Sequence, residues 1–181
     1  MERLPTRLQG PVLLAPAVHG DARGFFHESY RVDAWSAEGV DATFVQDNHS
    51  RSGRGVVRGM HVTLGPGQAK LVRCARGRIW DVVVDVRPSS PTYGEWEGFE
   101  LDDESMHQVY IPIGFAHGFC VVSEIADVAY KISSPYDPAT ERGIRWNDPR
   151  IGVEWPVSEP LLSERDVAAP TLDEIAAELP W

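Results

Sequence analysis

The sequence predicts an all-β fold, an antiparallel sandwich or barrel with few helices, and three observations carry that expectation. Glycines (16) and prolines (14) are scattered along the 181 residues as punctuation rather than clustered. Between them lie short runs of β-branched and aromatic residues, the composition of strands bounded by turns. Helical signals are confined to two short segments, and this balance favours layers built from sheets.

Taken in order, the expected strands are 11–15 (PVLLA), 24–30 (GFFHESY), 43–50 (TFVQDNHS), 55–62 (GVVRGMHV) and 70–75 (KLVRCA). They continue with 78–87 (RIWDVVVDVR), 95–101 (EWEGFEL), 107–112 (HQVYIP), 118–124 (GFCVVSE) and 127–133 (DVAYKIS). A short helix is expected over 32–38. A second lies in TLDEIAAEL near the C-terminus, where Thr171 is the N-cap and Glu174, three residues on, completes a capping box. No internal repeat, low-complexity tract or linker interrupts the chain, so residues 1–181 are expected to form one domain.

Composition narrows the partners. Apolar residues make up 43% and charged residues 24%, ordinary values for a folded domain. Seventeen basic against 27 acidic side chains leave a net charge of -10, which opposes bulk attraction to nucleic acid or an anionic membrane. An anionic ligand must therefore find a local basic pocket. Lys70 and Lys131 are the only lysines. Cys74 and Cys120 sit in apolar runs without metal-ligand spacing, which reads as buried thiols in a reducing compartment. No apolar run reaches signal-peptide or membrane-span length, so a soluble, cytoplasmic protein is expected.

Alternation along strands sorts side chains onto faces. Within 78–87, Trp80, Val82, Val84 and Val86 share one wholly apolar face, while Asp81 and Asp85 share the other with Ile79 and Val83. The mixed face is either solvent-exposed or the wall of a polar cavity inside a barrel. Val128, Tyr130 and Ile132 also share a face, which sends the Tyr130 hydroxyl into apolar surroundings as a core residue or as a functional one.

The strongest local motif is PIGFAHGF, whose Pro112, Gly114 and His117 resemble the second metal motif of cupin barrels. The first cupin motif is incomplete: Thr63 stands where a second histidine would follow His61, and 64–68 holds no carboxylate. At most two protein ligands remain, short of the three a catalytic metal needs, so no metal is expected. A histidine free of metal is available as an acid or base near neutral pH.

Eight segments in order then resemble the dTDP-4-dehydrorhamnose 3,5-epimerase family: DARGFFHESYR (21–31), FVQDNHSRS (44–52), GVVRGMH (55–61), 69–94, IPIGFAHGF (111–119), ADVAYK (126–131), ERGIRWNDP (141–149) and LSERDVAAP (162–170). The resemblance implies a homodimeric, cupin-like antiparallel jelly roll with short peripheral and C-terminal helices. It implies action without a cofactor on a dTDP-4-keto-6-deoxy sugar, inverting the centres on both sides of the ketone. Such chemistry needs a base on one face of the sugar, a donor for the developing enolate oxygen and an acid on the opposite face.

By that resemblance His61 is the base, Asp166 orients its imidazole, and Tyr130 is the proton donor. Lys70 and His117 lie around the sugar as enolate donors, with Asp81 fixing the His117 ring. The resemblance further assigns substrate binding to Arg23, Phe26, Glu28, Gln46, Asn48, Arg58, Glu141 and Arg165, while Phe26 and Tyr136 suit the thymine ring. Arg23, Arg58, Lys70 and Arg165 are expected to gather around one pocket, where arginine forks suit a diphosphate. Arg58 and His61 are three apart, and a regular strand would put them on opposite faces; Gly59 between them permits a bulge. Relatives that invert one centre only form the alternative reading, and a non-catalytic sugar-nucleotide-binding module is a remote one.

Overall fold

The computed structural model describes residues 1–181. In chain order its elements are β1 (Glu2–Leu4), β2 (Val12–Ala15), β3 (Val18–Asp21), β4 (Gly24–His27), α1 (Val32–Ala37), β5 (Gln46–Gly53), β6 (Val57–Thr63), β7 (Lys70–Arg76) and β8 (Arg78–Asp85). They continue with β9 (Trp96–Asp102), β10 (Gln108–Ile111), β11 (Phe115–Val121), β12 (Ile125–Ile132), β13 (Glu141–Gly143), α2 (Glu164–Val167) and α3 (Leu172–Ile175), the last running into a 3-10 turn over Ala176–Glu178. A six-stranded sheet in the order β1-β2-β10-β7-β12-β5 faces a five-stranded sheet in the order β13-β6-β11-β8-β9, and β3 and β4 form a separate hairpin. Every ladder is antiparallel. This is the cupin-like jelly roll that the sequence resemblance implied.

All ten expected strands form, within a few residues of the expected bounds. The elements absent from the sequence reading are β1, β3, β13 and α2. Each is three or four residues long, and ERL, VHGD and ERG offer no apolar alternation because they lie at sheet edges or outside the two sheets. Thr171 and Glu174 make the expected reciprocal capping box of α3.

Three apolar layers hold the sheets. Ile79, Val83, Leu101, Val109, Phe119 and Val128 belong to the core between the two sheets. Outside the five-stranded sheet, Val82, Val84 and Val86 pack under Ile144, Ile151, Leu172 and Ile175 from the C-terminal segment. Outside the six-stranded sheet, α1 lays its fully buried Trp35 over Leu14, Leu71 and Tyr110. The wholly apolar face of β8 is thus the outer one, and the mixed face carrying Asp81 and Asp85 points between the sheets, where both carboxylates are fully buried. Asp85 is satisfied there by Arg87, Ser90 and Thr92. Cys74 and Cys120 are free and buried, and burial pushes their thiols up to about 12 and about 11.

One irregularity shapes the interior. Along β6 and β11, His61 faces His117 while Arg58 faces Phe119, so three steps on β6 match two on β11. The extra residue is a β-bulge, and it turns Arg58 and His61 to the same side. Gly59 takes φ +116°, and a Cβ there would lie 2.6 Å from the Gly118 Cα; a Cβ on Gly118 would meet the Met60 Sδ at 2.7 Å. Glycine on both strands is what lets the bulged backbone close against its neighbour. Gly59→Ala is expected to lower unfolding free energy by about 2 kcal/mol or more in denaturant titration. A loss below about 0.5 kcal/mol would show that the bulge does not need the glycine.

Candidate active site

A cavity of about 450 Å³ opens between the sheets. The five-stranded sheet supplies one wall, with Arg58, His61, His117 and Phe119; the six-stranded sheet supplies the opposite wall, with Asn48, Ser50, Lys70, Tyr130 and Ile132. Glu141, Leu161, Ser163, Arg165 and Asp166 close the rim from the C-terminal part of the chain. The strand registers set these positions. His61 and His117 are direct cross-strand partners, and Asn48 pairs with Tyr130 while Ile132 pairs with both Gln46 and Lys70.

Each imidazole is held by a buried carboxylate. His61 Nε2 lies 2.7 Å from Asp166 Oδ1, and His117 Nε2 lies 2.8 Å from Asp81 Oδ2. A carboxylate can only accept, so Nε2 keeps its proton as the donor, and in the neutral ring the lone pair is left on Nδ1. For His61 that is the arrangement of a general base. Its Nδ1 is 4.0 Å from Glu141 Oε1, and Glu141 in turn receives a 2.6 Å hydrogen bond from Arg165 Nη1. For His117 the same bond means that Nδ1 donates only when the ring is protonated, and burial pulls the His117 pKa down against the pull of Asp81. Asp81 keeps Oδ1 buried without a partner.

Local sequence explains how Asp166 arrives. Ser163 caps α2 and accepts from the Asp166 backbone amide at 3.1 Å, so the one-turn helix starts where Arg165 and Asp166 face the cavity. Burial alone would raise the Asp166 pKa, but hydrogen bonds from His61, Ser163 and the Gly59 amide, with the His61 charge, hold it below the usual aspartate value. Lys70 is buried with no carboxylate in ion-pair contact, and loss of water lowers its pKa against the pull of Glu141 and Asp81. Tyr130 packs against the central core, and burial together with the Glu141 charge raises its pKa, which keeps the hydroxyl protonated at neutral pH.

Of the residues expected from the sequence, His61, Lys70, His117, Tyr130, Asn48, Arg58, Tyr136, Glu141, Arg165 and Asp166 line this one cavity. Asp81 stands behind His117, and Gln46 stands behind Asn48, donating to its side chain at 2.8 Å and accepting from the Tyr136 amide. Arg23, Phe26 and Glu28 do not join them. Arg23 pairs with Asp21 on the β3–β4 hairpin, Glu28 pairs with Arg31, and the Phe26 ring is 68% exposed. Within a single chain the cations at the cavity are Arg58, Lys70 and Arg165, because the hairpin that carries Arg23 belongs to neither sheet. Sequence reasoning passed over Ser50, Ser52, Gln68, Leu161 and Ser163. The period-two row from Gln46 through Asn48 pointed to the first two, and the Ser163 to Asp166 spacing pointed to the cap.

The family model for dTDP-4-dehydrorhamnose 3,5-epimerase matches residues 5–174. A dTDP-4-dehydrorhamnose 3,5-epimerase of Salmonella typhimurium is 49% identical over 174 residues, covering 94% of this chain and 95% of that protein. The crystal structure of dTDP-6-deoxy-D-glucose-3,5-epimerase from Legionella pneumophila, in complex with dTDP-4-keto-L-rhamnose, superposes with a TM-score of 0.95 at 42% identity, over 99% of this chain and 97% of that one. A 4-keto-6-deoxy sugar epimerase from the novobiocin cluster of Streptomyces spheroides superposes at 0.94 with 46% identity, over 99% and 92%.

The lowered Asp166 pKa ties this site to acid stability. Its pairing contributes fully above the unfolded aspartate value of about 3.9 and is lost as pH falls through the lower folded value. Asp166→Asn is therefore expected to lose less stability than the parent between pH 6 and pH 3 in denaturant titrations. Parallel losses in the two proteins would refute the assignment.

Proposed function

The chain belongs to the dTDP-4-dehydrorhamnose 3,5-epimerase family, and from that membership we propose that it inverts C3 and C5 of a dTDP-4-keto-6-deoxy-glucose with the residues of this cavity. The observation that carries the reading is the opposition of His61 and Tyr130 on facing sheets. Inversion requires a proton to leave one face of a carbon and another to arrive on the other face. A base and an acid on one wall would only return the proton to the same side.

His61 Nδ1 takes the proton next to the ketone while the C–H electrons move into the enolate and the charge settles on the C4 oxygen. Asp166, already bonded to Nε2, stabilises the imidazolium that forms. Lys70 Nζ, buried and without a carboxylate in ion-pair contact, is the donor for the enolate oxygen, and desolvation strengthens that interaction relative to water. His117 borders the same space, and Asp81 holds its ring in place. Tyr130 then gives its hydroxyl proton to the carbon from the far side. Once His61 has released its proton to water and Tyr130 has regained one from water, a second round at the other α-carbon completes the double inversion.

The buried free thiols suit a reducing compartment, and no helix is long and apolar enough to cross a membrane, which supports a cytoplasmic setting. The hairpin supports a homodimer. Arg23, Phe26 and Glu28 are assigned to substrate by the family resemblance, yet they lie outside their own cavity with Phe25 and Phe26 exposed. In a twofold dimer each hairpin serves the partner's cavity.

In heavy water, deuterium is expected at both C3 and C5 of dTDP-4-keto-6-deoxy-glucose by NMR. Label at one carbon alone would instead establish a mono-epimerase, and no label would end the enzymatic reading. His61→Ala should cut exchange on the order of 10²- to 10⁴-fold, and Tyr130→Phe should impair inversion more than exchange. Equal loss of both in Tyr130→Phe would contradict the division of roles. Subunit mixing tests the dimer. His61→Ala co-refolded with an Arg23→Ala/Phe26→Ala variant should recover about a quarter of parental activity, from half the dimers with one intact site each. No recovery would place the hairpin in its own subunit's site.

A further inference from the structure

We infer that Gln68 is a positioning residue for nucleotide recognition: through Ser134 it holds the segment that sets the Tyr136 ring at the mouth of the cavity. The inference rests on the proposed reading of the substrate as a dTDP-sugar, with Tyr136 against the base, and it deepens that reading by naming what keeps the ring in place.

The chain leaves the six-stranded sheet just before Tyr136. Ile132, opposite Lys70, is the last pair of the β12–β7 ladder, and residues 135–139 are exposed. Pro135 has no N–H to give a neighbour. A mixture of backbone and side-chain bonds nevertheless carries the connection two residues past the end of the ladder. The Ser133 amide donates to the Ala69 carbonyl at 3.0 Å, and the Ser133 hydroxyl accepts from the Ala69 amide at 2.8 Å. One step further, Gln68 Nε2 donates to the Ser134 carbonyl at 2.9 Å, and the Ser134 hydroxyl donates back to the Gly67 carbonyl at 3.3 Å. The Tyr136 amide then donates to Gln46 Oε1 on β5 at 3.2 Å.

Gln68 and Tyr136 both line the cavity, and Tyr136 is 54% exposed with no other aromatic ring of the protein packed against it. A free aromatic face on a segment that is already tied down is a platform for a flat ring. Fixing it beforehand removes the ordering of the loop from the cost of binding. The two glutamines differ in reach. Gln46 also donates to Asn48, which pairs with Tyr130, so a change at Gln46 extends to the reaction itself. The Gln68 side chain bonds only to Ser134, so its effect is confined to the Tyr136 segment.

Calorimetry with dTDP and steady-state kinetics on dTDP-4-keto-6-deoxy-glucose test the assignment. Gln68→Met keeps the length of the side chain and loses the donor, while Gln68→Ala removes both. Each is expected to weaken dTDP roughly three- to tenfold. KM should rise by a similar factor with kcat within about twofold of the parent, because His61 and Tyr130 stand on strands that the Gln68 bond does not touch. In a Tyr136→Ala background, Gln68→Met should add less than about a twofold loss, since it acts through Tyr136. The inference is overturned by a Gln68→Met protein that binds dTDP like the parent, or by a fall in kcat of about tenfold or more in both variants. A Gln68→Met loss of full size without Tyr136 also overturns it, because Gln68 would then be the contact itself. A parent that binds dTDP and epimerises the sugar while both variants match it removes this inference alone. A parent that binds no dTDP removes it together with the substrate reading.

Discussion

The contact between the Gly59 and Gly118 backbones governs the geometry of the cavity. Two strands approach so closely there that neither position has room for a Cβ. The approach accommodates a bulge in β6, and the bulge turns Arg58 and His61, which a regular pleat would part, toward the same cavity. His61 and Arg58 are thereby carried on one strand and open to one cavity. Beside them, His117 follows directly after β11's Ala116 and faces His61 in register, so the second imidazole depends on the same ladder.

Burial of charge is the second organising constraint. A charge taken out of water costs several kcal/mol unless a partner compensates it. The interior meets that requirement in pairs: Asp166 with His61, Asp81 with His117, and Asp85 with Arg87 and two hydroxyls. Lys70 lacks a paired carboxylate and so sits with a lowered pKa, while Asp81 Oδ1 and Ser50 Oγ remain without partners. Lys70 and Ser50 face the cavity, where a ligand carrying acceptor oxygens would complete them, while Asp81 lies behind His117. The same local arrangement reconciles a net charge of -10 with a dianionic ligand, since the cations that matter are gathered in one cleft.

The two sheets divide the labour. One wall carries the imidazoles and Asp81, with Asp166 joining from the rim, and the other carries the lysine, the tyrosine and the polar row of β5. The core between the sheets holds the two walls together, and their outer faces pack under α1 and under the C-terminal segment in further apolar clusters. Walls that hold His61 and Tyr130 opposite one another suit the proposed reaction, whose outcome depends on which face of a flat enolate receives the proton.

By itself the sequence determined the strand inventory, the side on which each strand residue falls, and the family register that picked out His61, Lys70, His117 and Tyr130. These follow from local periodicity and from motifs read within single segments. Only the tertiary structure decided the rest. The fully apolar face of β8 reads as core, yet it faces outward because the C-terminal segment covers it, and this leaves Asp81 inside with His117. Asp166, which the family register in LSERDVAAP also picked out, reaches His61 across 105 residues on a one-turn helix capped by Ser163, a contact whose geometry no local periodicity sets. Arg23, Phe26 and Glu28 match the family pattern as well as any residue, yet they stand on a hairpin outside both sheets. Short edge elements and long-range returns of the chain carry little local pattern, since neighbours distant in sequence provide the contacts that stabilise them.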